Sequence, residues 1–149
     1  MSDARSIEVI ARGVVVHEGC VLLCRSLRHG YAYLPGGHVE FGEQAARALE
    51  REFEEEVGLP VRVGRCLLVT EEHFDAGGVR HHEINIVFHV EQLGESAAPP
   101  TDVPSREDKI GFEWVHLAAL HETDLRPATI KAWLMAGQTD ATAWVSGMD

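Results

Sequence analysis

The chain switches between two hydrophobic periods. Ile7 to His17 is apolar and β-branched, with Val14-Val15-Val16 inside it, and reads as a strand. Glu18-Gly19 predicts a turn into a second strand, Cys20 to Arg25. Ser26 to Ala32 is a polar loop, and Tyr33-Leu34 a short strand. The period then changes: Ala45, Leu49, Phe53 and Val57 recur every fourth residue and predict a helix that stops at Gly58. Val61 to Phe74 reads as a long strand, Asp75-Ala76-Gly77-Gly78 as a hairpin turn, and Val79 to Gln92 as the returning strand. Along the return, His82, Ile84, Ile86 and Phe88 share one face, and Glu83, Asn85, Val87 and His89 the other. Leu93 to Arg106, which holds Pro99, Pro100 and Pro104, reads as a surface loop before a strand from Ile110 to Val115. Leu117 to Leu120 starts a short helix. Pro127, near the first helical position, precedes a helix from Ala128 to Ala136, which Trp133 and Leu134 pack onto the sheet. Gly137 to Asp149 is a weakly patterned tail, which Trp144 either pins or offers to a dimer contact.

The helix breaks local electrostatic rules. Four of the five residues from Glu52 to Glu56 are glutamates, placed just ahead of the helix stop. A helix C-terminus already carries partial negative charge, so carboxylates there are unfavourable. Glu52 also repels Glu55 and Glu56 at i,i+3 and i,i+4. Such a concentration of violations points to a functional site. At about 100° per residue, Glu52 and Glu56 fall on the edge of the apolar stripe with Glu55 beside them, while Glu54 and Arg47 point the opposite way. Three carboxylates on the border of the core suit a hard divalent cation such as Mg²⁺, which takes oxygen ligands and shares them with substrate phosphates. Glu54 reads as an ordinary solvated charge. Leu34-Pro35-Gly36-Gly37 leads from the short strand into a turn where glycine permits close backbone approach to a ligand.

Gly37, Glu43, Arg51, Glu52, Glu55, Glu56, Gly58 and Leu59 stand at the spacing G-x5-E-x7-R-E-U-x-E-E-x-G-U, with U a bulky aliphatic residue. The stretch Gly37–Leu59 therefore resembles the Nudix box of the MutT-like hydrolases. Phe53, aromatic where the pattern usually has an aliphatic residue, is the one departure, and it keeps the apolar stripe intact. The resemblance implies an α/β/α sandwich: a mixed sheet with helices on both sides. It implies hydrolysis of a nucleoside diphosphate linked to a further group, by attack of water at phosphorus. Glu52, Glu55 and Glu56 are the implied metal ligands, with the carbonyl of Gly36 as an additional one and Mg²⁺ or Mn²⁺ as the ion. Arg51 is implied to orient the glutamates by ion pairing, and Glu43 to stabilise the entry into the helix. An acid outside the box often joins the metals or acts as base in the family, and Glu107 and Asp108 match that region. Glu52, Glu55, Glu107 and Asp108 all stay open as the base.

Two other groups bear on the site. His81-His82-Glu83 has the composition of a metal cluster, but adjacent strand residues point to opposite faces. Cross-strand polar pairing is the simpler reading, with Glu83 kept as an outside candidate. Arg28, His29, Tyr31 and Tyr33 carry the chemistry to stack on a base or meet phosphate. Loop surface with a tyrosine partly packed is their simpler reading.

At 149 residues the expectation is one domain, 1–149. The formal charge of −11 argues against non-specific nucleic-acid binding, which needs Lys and Arg, and leaves a phosphate-bearing small molecule dependent on a cation to screen repulsion. No apolar run reaches transmembrane length, and Met1-Ser2-Asp3-Ala4-Arg5 has no signal-peptide pattern. Cys20, Cys24 and Cys66 lack zinc spacing, and an odd count suggests reduced thiols in a cytoplasm. The expected protein is a cytoplasmic monomer or homodimer, with a nucleotide-binding module without turnover as the rival. A zinc or iron carboxylate enzyme is a poorer rival, because no positioned histidine set accompanies the carboxylates.

Overall fold

The computed structural model describes residues 5–93, 110–137 and 141–148. In chain order the elements are β1 (Glu8–Val14), β2 (Val16–His17), β3 (Cys20–Ser26), β4 (Ala32–Tyr33), β5 (Gly36–His38), α1 (Ala45–Glu56), β6 (Val61–Ala76), β7 (Val79–Gln92), β8 (Ile110–His116), a 3-10 helix (Leu117–Glu122), α2 (Ala128–Ala136) and β9 (Ala143–Ser146). The first sheet runs β5-β1-β7-β6-β9 and is mixed: β1 pairs parallel to β7 and β9 parallel to β6, while β5/β1 and β6/β7 are antiparallel. The second sheet is built on β3, with β8 along one edge and β2 and β4 sharing the other.

Strand alternation sends the first sheet's side chains into two cores. Ala11 and Val90 meet Leu49 and Phe53 of α1 and Val57 at its C-cap on one face. Val14, Leu68 and Val87 meet Leu120, Ile130 and Leu134 on the other, where α2 lies. A mixed sheet thus carries a helix on each face, as the box resemblance implied. Gly13 lets α1 pack closely on the sheet: a Cβ there would lie 2.9 Å from Phe53 Cε2 and 2.8 Å from Val90 Cγ2.

Four local expectations change. The single N-terminal strand is two, because the chain leaves the first sheet at Val15 and joins the second. Val14 and Val15 are both buried, in opposite cores, and apolar pattern alone does not mark such a crossing. Gly36–His38 is an edge strand rather than a plain turn, registered against Ile10–Arg12. Pro127 is the N-cap of α2, with its carbonyl accepting from Ile130 N at 3.1 Å. The tail forms β9, and Ala143 and Val145 pack it on the core while Trp144 is 61% exposed. The pin is therefore made by the small inward residues and not by the indole.

Candidate active site

Helix α1 presents its acidic residues much as the periodicity requires. Phe53 and Val57 are buried, Glu52 and Glu56 sit at intermediate exposure, and Glu54 and Glu55 are exposed. Val57 N and Gly58 N both close on the carbonyl of Phe53, at 3.0 and 2.9 Å, and Gly58 takes φ 75°, which explains the glycine stop.

Arg51 is the hub. Its Nε and Nη2 donate to the two carboxylate oxygens of Glu43 at 2.9 and 3.0 Å. Its Nη1 donates to Glu52 Oε1 at 3.0 Å and to Glu55 Oε2 at 3.3 Å, and Nη2 reaches the carbonyl of His38 at 3.3 Å. One planar guanidinium thus fans over three box glutamates and the end of β5, a pattern that a lysine's point charge does not reproduce. The Glu43 bond holds the Arg51 guanidinium above its usual value, and Arg51 holds the Glu43 carboxyl below the usual carboxylate range. Glu43 also accepts from Glu40 N at 3.1 Å while its own N donates to Glu40 O at 3.0 Å, closing the loop that enters α1.

The glycines before the helix serve two different close approaches. A Cβ on Gly37 would collide with the carboxyl group of Glu52, whereas a Cβ on Gly36 would collide with the backbone of Ala11 and Arg12. Gly37 therefore makes room for a glutamate, and Gly36 makes room for a neighbouring strand. Among the described residues no three His, Cys, Asp or Glu side chains are gathered closely enough to hold a metal ion. Glu52 and Glu55 are drawn to Arg51 instead. Glu107 and Asp108 lie outside the described residues.

Arg12 and Asn85, which sequence reasoning did not single out, join the outside candidate Glu83 on the α2 face beside the box loop. Arg12, whose register partner is Gly36, has a side chain 12% exposed. Its Nε donates to Asn85 Oδ1 at 2.7 Å, its Nη1 to the carbonyl of Leu34 at 3.1 Å, and its Nη2 stands 3.9 Å from Glu83 Oε2. Asn85 Nδ2 continues to Thr70 Oγ1 at 3.3 Å. Burial pushes the Arg12 guanidinium down, and Glu83 opposes that shift. Glu83 therefore serves a buried cation. This group adjoins the box loop, since Arg12 registers with Gly36 and bonds the carbonyl of Leu34. An arginine between Ile10 and Val14 in the alternation of β1 was the available signal. His81 pairs instead with Glu8, Nδ1 to Oε2 at 2.8 Å, and His38 Nε2 takes the other oxygen at 2.8 Å. A surface depression of about 300 Å³ lined by His73, His81 and His82 shares no residue with the box and, among the described residues, has no carboxylate in its lining.

Residues 8–134 match the NUDIX domain family. The chain belongs to the Nudix family. It is an enzyme of the Nudix pyrophosphohydrolase type. Solved structures with the same fold include the MutT protein of Methanosarcina mazei Go1, at 24% identity over 91% of this chain and 95% of that one with a TM-score of 0.67. A MutT NUDIX hydrolase from Burkholderia pseudomallei is similar at 26% identity over 76% of this chain and 86% of that one, TM-score 0.59. An ADP-ribose pyrophosphatase from Streptococcus suis is similar at 19% identity over 93% of this chain and 98% of that one, TM-score 0.57. Among the described residues of this Nudix chain no helix is long and apolar enough to cross a membrane.

Proposed function

We propose that this Nudix-type pyrophosphohydrolase is metal-dependent and cleaves a phosphoanhydride bond of a nucleoside diphosphate linked to a further group, by attack of water at phosphorus. The observation that carries this reading is the Arg51 fan, which ties Glu43 of the entry loop to Glu52 and Glu55, two carboxylates toward the helix end where such charges are otherwise unfavourable. The donor chemistry fits Mg²⁺, and Mn²⁺ by the same oxygen preference: Glu52, Glu55 and Glu56 offer carboxylates and Gly36 a backbone carbonyl. Arg51 meets Glu52 through Oε1 and Glu55 through Oε2, so each carboxylate has a second oxygen to turn to a cation. When bound, the cation neutralises phosphate charge and lowers the pKa of the attacking water. The chain's own residues do the positioning. Glu43 locks Arg51, Arg51 holds Glu52 and Glu55 together against their repulsion, and Gly37 leaves room for the Glu52 carboxyl group. Glu107 and Asp108 are proposed as the acid outside the box.

The Streptococcus suis protein is named for ADP-ribose, and that compound enters here as one member of a test panel. Purified protein is incubated with Mg²⁺ and ADP-ribose, dinucleoside polyphosphates, and nucleoside di- and triphosphates. Release of phosphate-bearing products that stops in excess EDTA is expected. Binding without product supports the nucleotide-binding module, and full turnover in EDTA overturns the metal requirement.

A further inference from the structure

Beside the box loop runs a ladder of aromatic and cationic side chains that the hydrolytic reading does not use. Arg12 Cζ lies 5.9 Å from the centroid of the Tyr33 ring. The Tyr33 and Tyr31 centroids are 5.9 Å apart, tilted by 49°. Tyr31 stacks on His29 with centroids 6.1 Å apart and planes 12° from parallel, and Arg126 Cζ lies 4.7 Å over the Tyr31 ring. The inner rung is held in the fold and the outer rung is in solvent. Arg12 is nearly buried, Tyr31 and Tyr33 are half-buried, and His29 and Arg126 are exposed.

The backbone under the ladder is fixed on both sides. Tyr33 registers with Cys24 across β3 and β4. Ala32 N donates to Asp124 O at 2.8 Å, Arg126 N donates to Ala32 O at 2.8 Å, and Ser26 N donates to Tyr31 O at 2.9 Å. Arg126 is steadied by Asp124 Oδ1 and Oδ2 at 3.1 and 3.0 Å. Tyr31 and Tyr33 are two apart on an extended segment, so they share a side while buried Ala32 points the other way. From Tyr33 the chain passes directly through Leu34 and Pro35 to Gly36, and the charge of Glu56 reaches Tyr33 and Arg12. Aromatic faces on a rigid platform, one step from a phosphate-cleaving centre, are the chemistry that receives a flat heteroaromatic ring, and bracketing arginines add cation–π attraction. In a chain of charge −11 these arginines also favour the phosphate next to that ring.

We infer that Tyr31 and Tyr33, bracketed by Arg12 and Arg126, form the wall on which the substrate's nucleoside base stacks, so that the enzyme selects base-bearing diphosphates over base-free ones. The inference rests on the hydrolase reading for the position of the phosphates, and its test is separable from that reading. AMP and ribose 5-phosphate, which differ by the base, are titrated calorimetrically in the presence of Mg²⁺ into wild type, Tyr31→Ala, Tyr31→Phe and Arg126→Ala. Wild type is expected to bind AMP about tenfold more tightly than ribose 5-phosphate, the order one base–aromatic stack contributes. Tyr31→Ala should lose most of that preference and Tyr31→Phe should keep it. Arg126→Ala, a change at an exposed side chain that leaves the core alone, should reduce it about threefold. Thermal unfolding of each variant checks the fold, and the Arg126→Ala and Tyr31→Phe results decide the matter if Tyr31→Ala does not fold. A wild type with no preference for AMP, or a folded Tyr31→Ala that retains it, overturns the wall. Product formation from ADP-ribose by wild type is scored separately. Turnover without base preference removes the wall and keeps the hydrolase, whereas a base preference lost in Tyr31→Ala without turnover on any substrate keeps the wall and removes the hydrolase.

Discussion

Arg51 grips Glu43 with two parallel hydrogen bonds, Nε to Oε2 at 2.9 Å and Nη2 to Oε1 at 3.0 Å, across the loop that enters α1. The fork geometry frees Nη1 for Glu52 and Glu55. Arg51→Lys keeps the charge and loses the fork, so Glu52 and Glu55 lose their orientation. The expected outcome is a fall in activity of about 10- to 100-fold, the range for residues that orient metal ligands, with a rise in the Mg²⁺ concentration needed for half-maximal rate. Steady-state kinetics over a Mg²⁺ titration measures both. An unchanged Mg²⁺ requirement would show that Arg51 does not act through the glutamates.

Glu55→Gln and Glu56→Gln should each lower the hydrolytic rate by orders of magnitude, while Glu54→Gln, on the exposed side of α1, changes little. Wild type should also melt higher as Mg²⁺ is added at constant ionic strength, because an ion bound by the folded state alone stabilises it by mass action. Glu56→Gln should gain less at every concentration. Its melting temperature in EDTA is less telling, since Glu56 also lends charge to buried Arg12. Equal rate losses at all three positions would contradict the facing of the helix.

The two glycines of the loop should separate fold from function. Gly36→Ala drives a methyl group into the backbone of Ala11 and Arg12, which cannot step aside. It should cost on the order of 2 kcal/mol or more, a melting-temperature drop of roughly 4–8 °C. In Gly37→Ala the clash is with the carboxyl end of Glu52, a flexible side chain, so stability should fall less than in Gly36→Ala and activity should collapse. Paired melting and rate measurements on both variants test the contrast.

Acid stability should depend on Glu8. Its carboxyl is held below the ordinary carboxylate range, chiefly by hydrogen bonds to His38 and then His81. A depressed folded-state pKa stabilises above the unfolded-state value, here taken as 4.5, and that contribution is lost as pH falls through the folded-state pKa. Glu8→Gln should therefore lower the melting temperature near pH 6 and flatten its decline between about pH 5 and pH 3. A parallel decline in both proteins would show that Glu8 does not link β1 to β5 and β7.

Helix α1, its stop at Gly58 and the side on which Glu52, Glu55 and Glu56 fall were legible in the chain, because each is set within a few residues. The fourfold apolar repeat orients the helix, and Gly58 meets the left-handed turn that closes on Phe53. The ion pairing of Arg51 with Glu52 and Glu55 was expected from the resemblance to the Nudix box, and the structure places those pairs within one turn of α1. The hairpin between β6 and β7 was equally local, since Gly77 and Gly78 take φ of 59° and 78°. Tertiary structure alone decided the surroundings. Arg12 meets Asn85 across a separation of 73 residues, through a parallel register that no local pattern states. Tyr31 and Tyr33 became a ladder only once β4 was pinned between β3 and the Asp124–Arg126 segment. The tail became β9 because the edge of β6 was there to pair with it, and Ala143 and Val145 are too few apolar residues to announce a strand. Helix phase and turn conformation come from covalent geometry and nearest neighbours. Strand partners, and the side chains they bring to one face, come from closing long loops, where many registers compete and only the assembled core selects one.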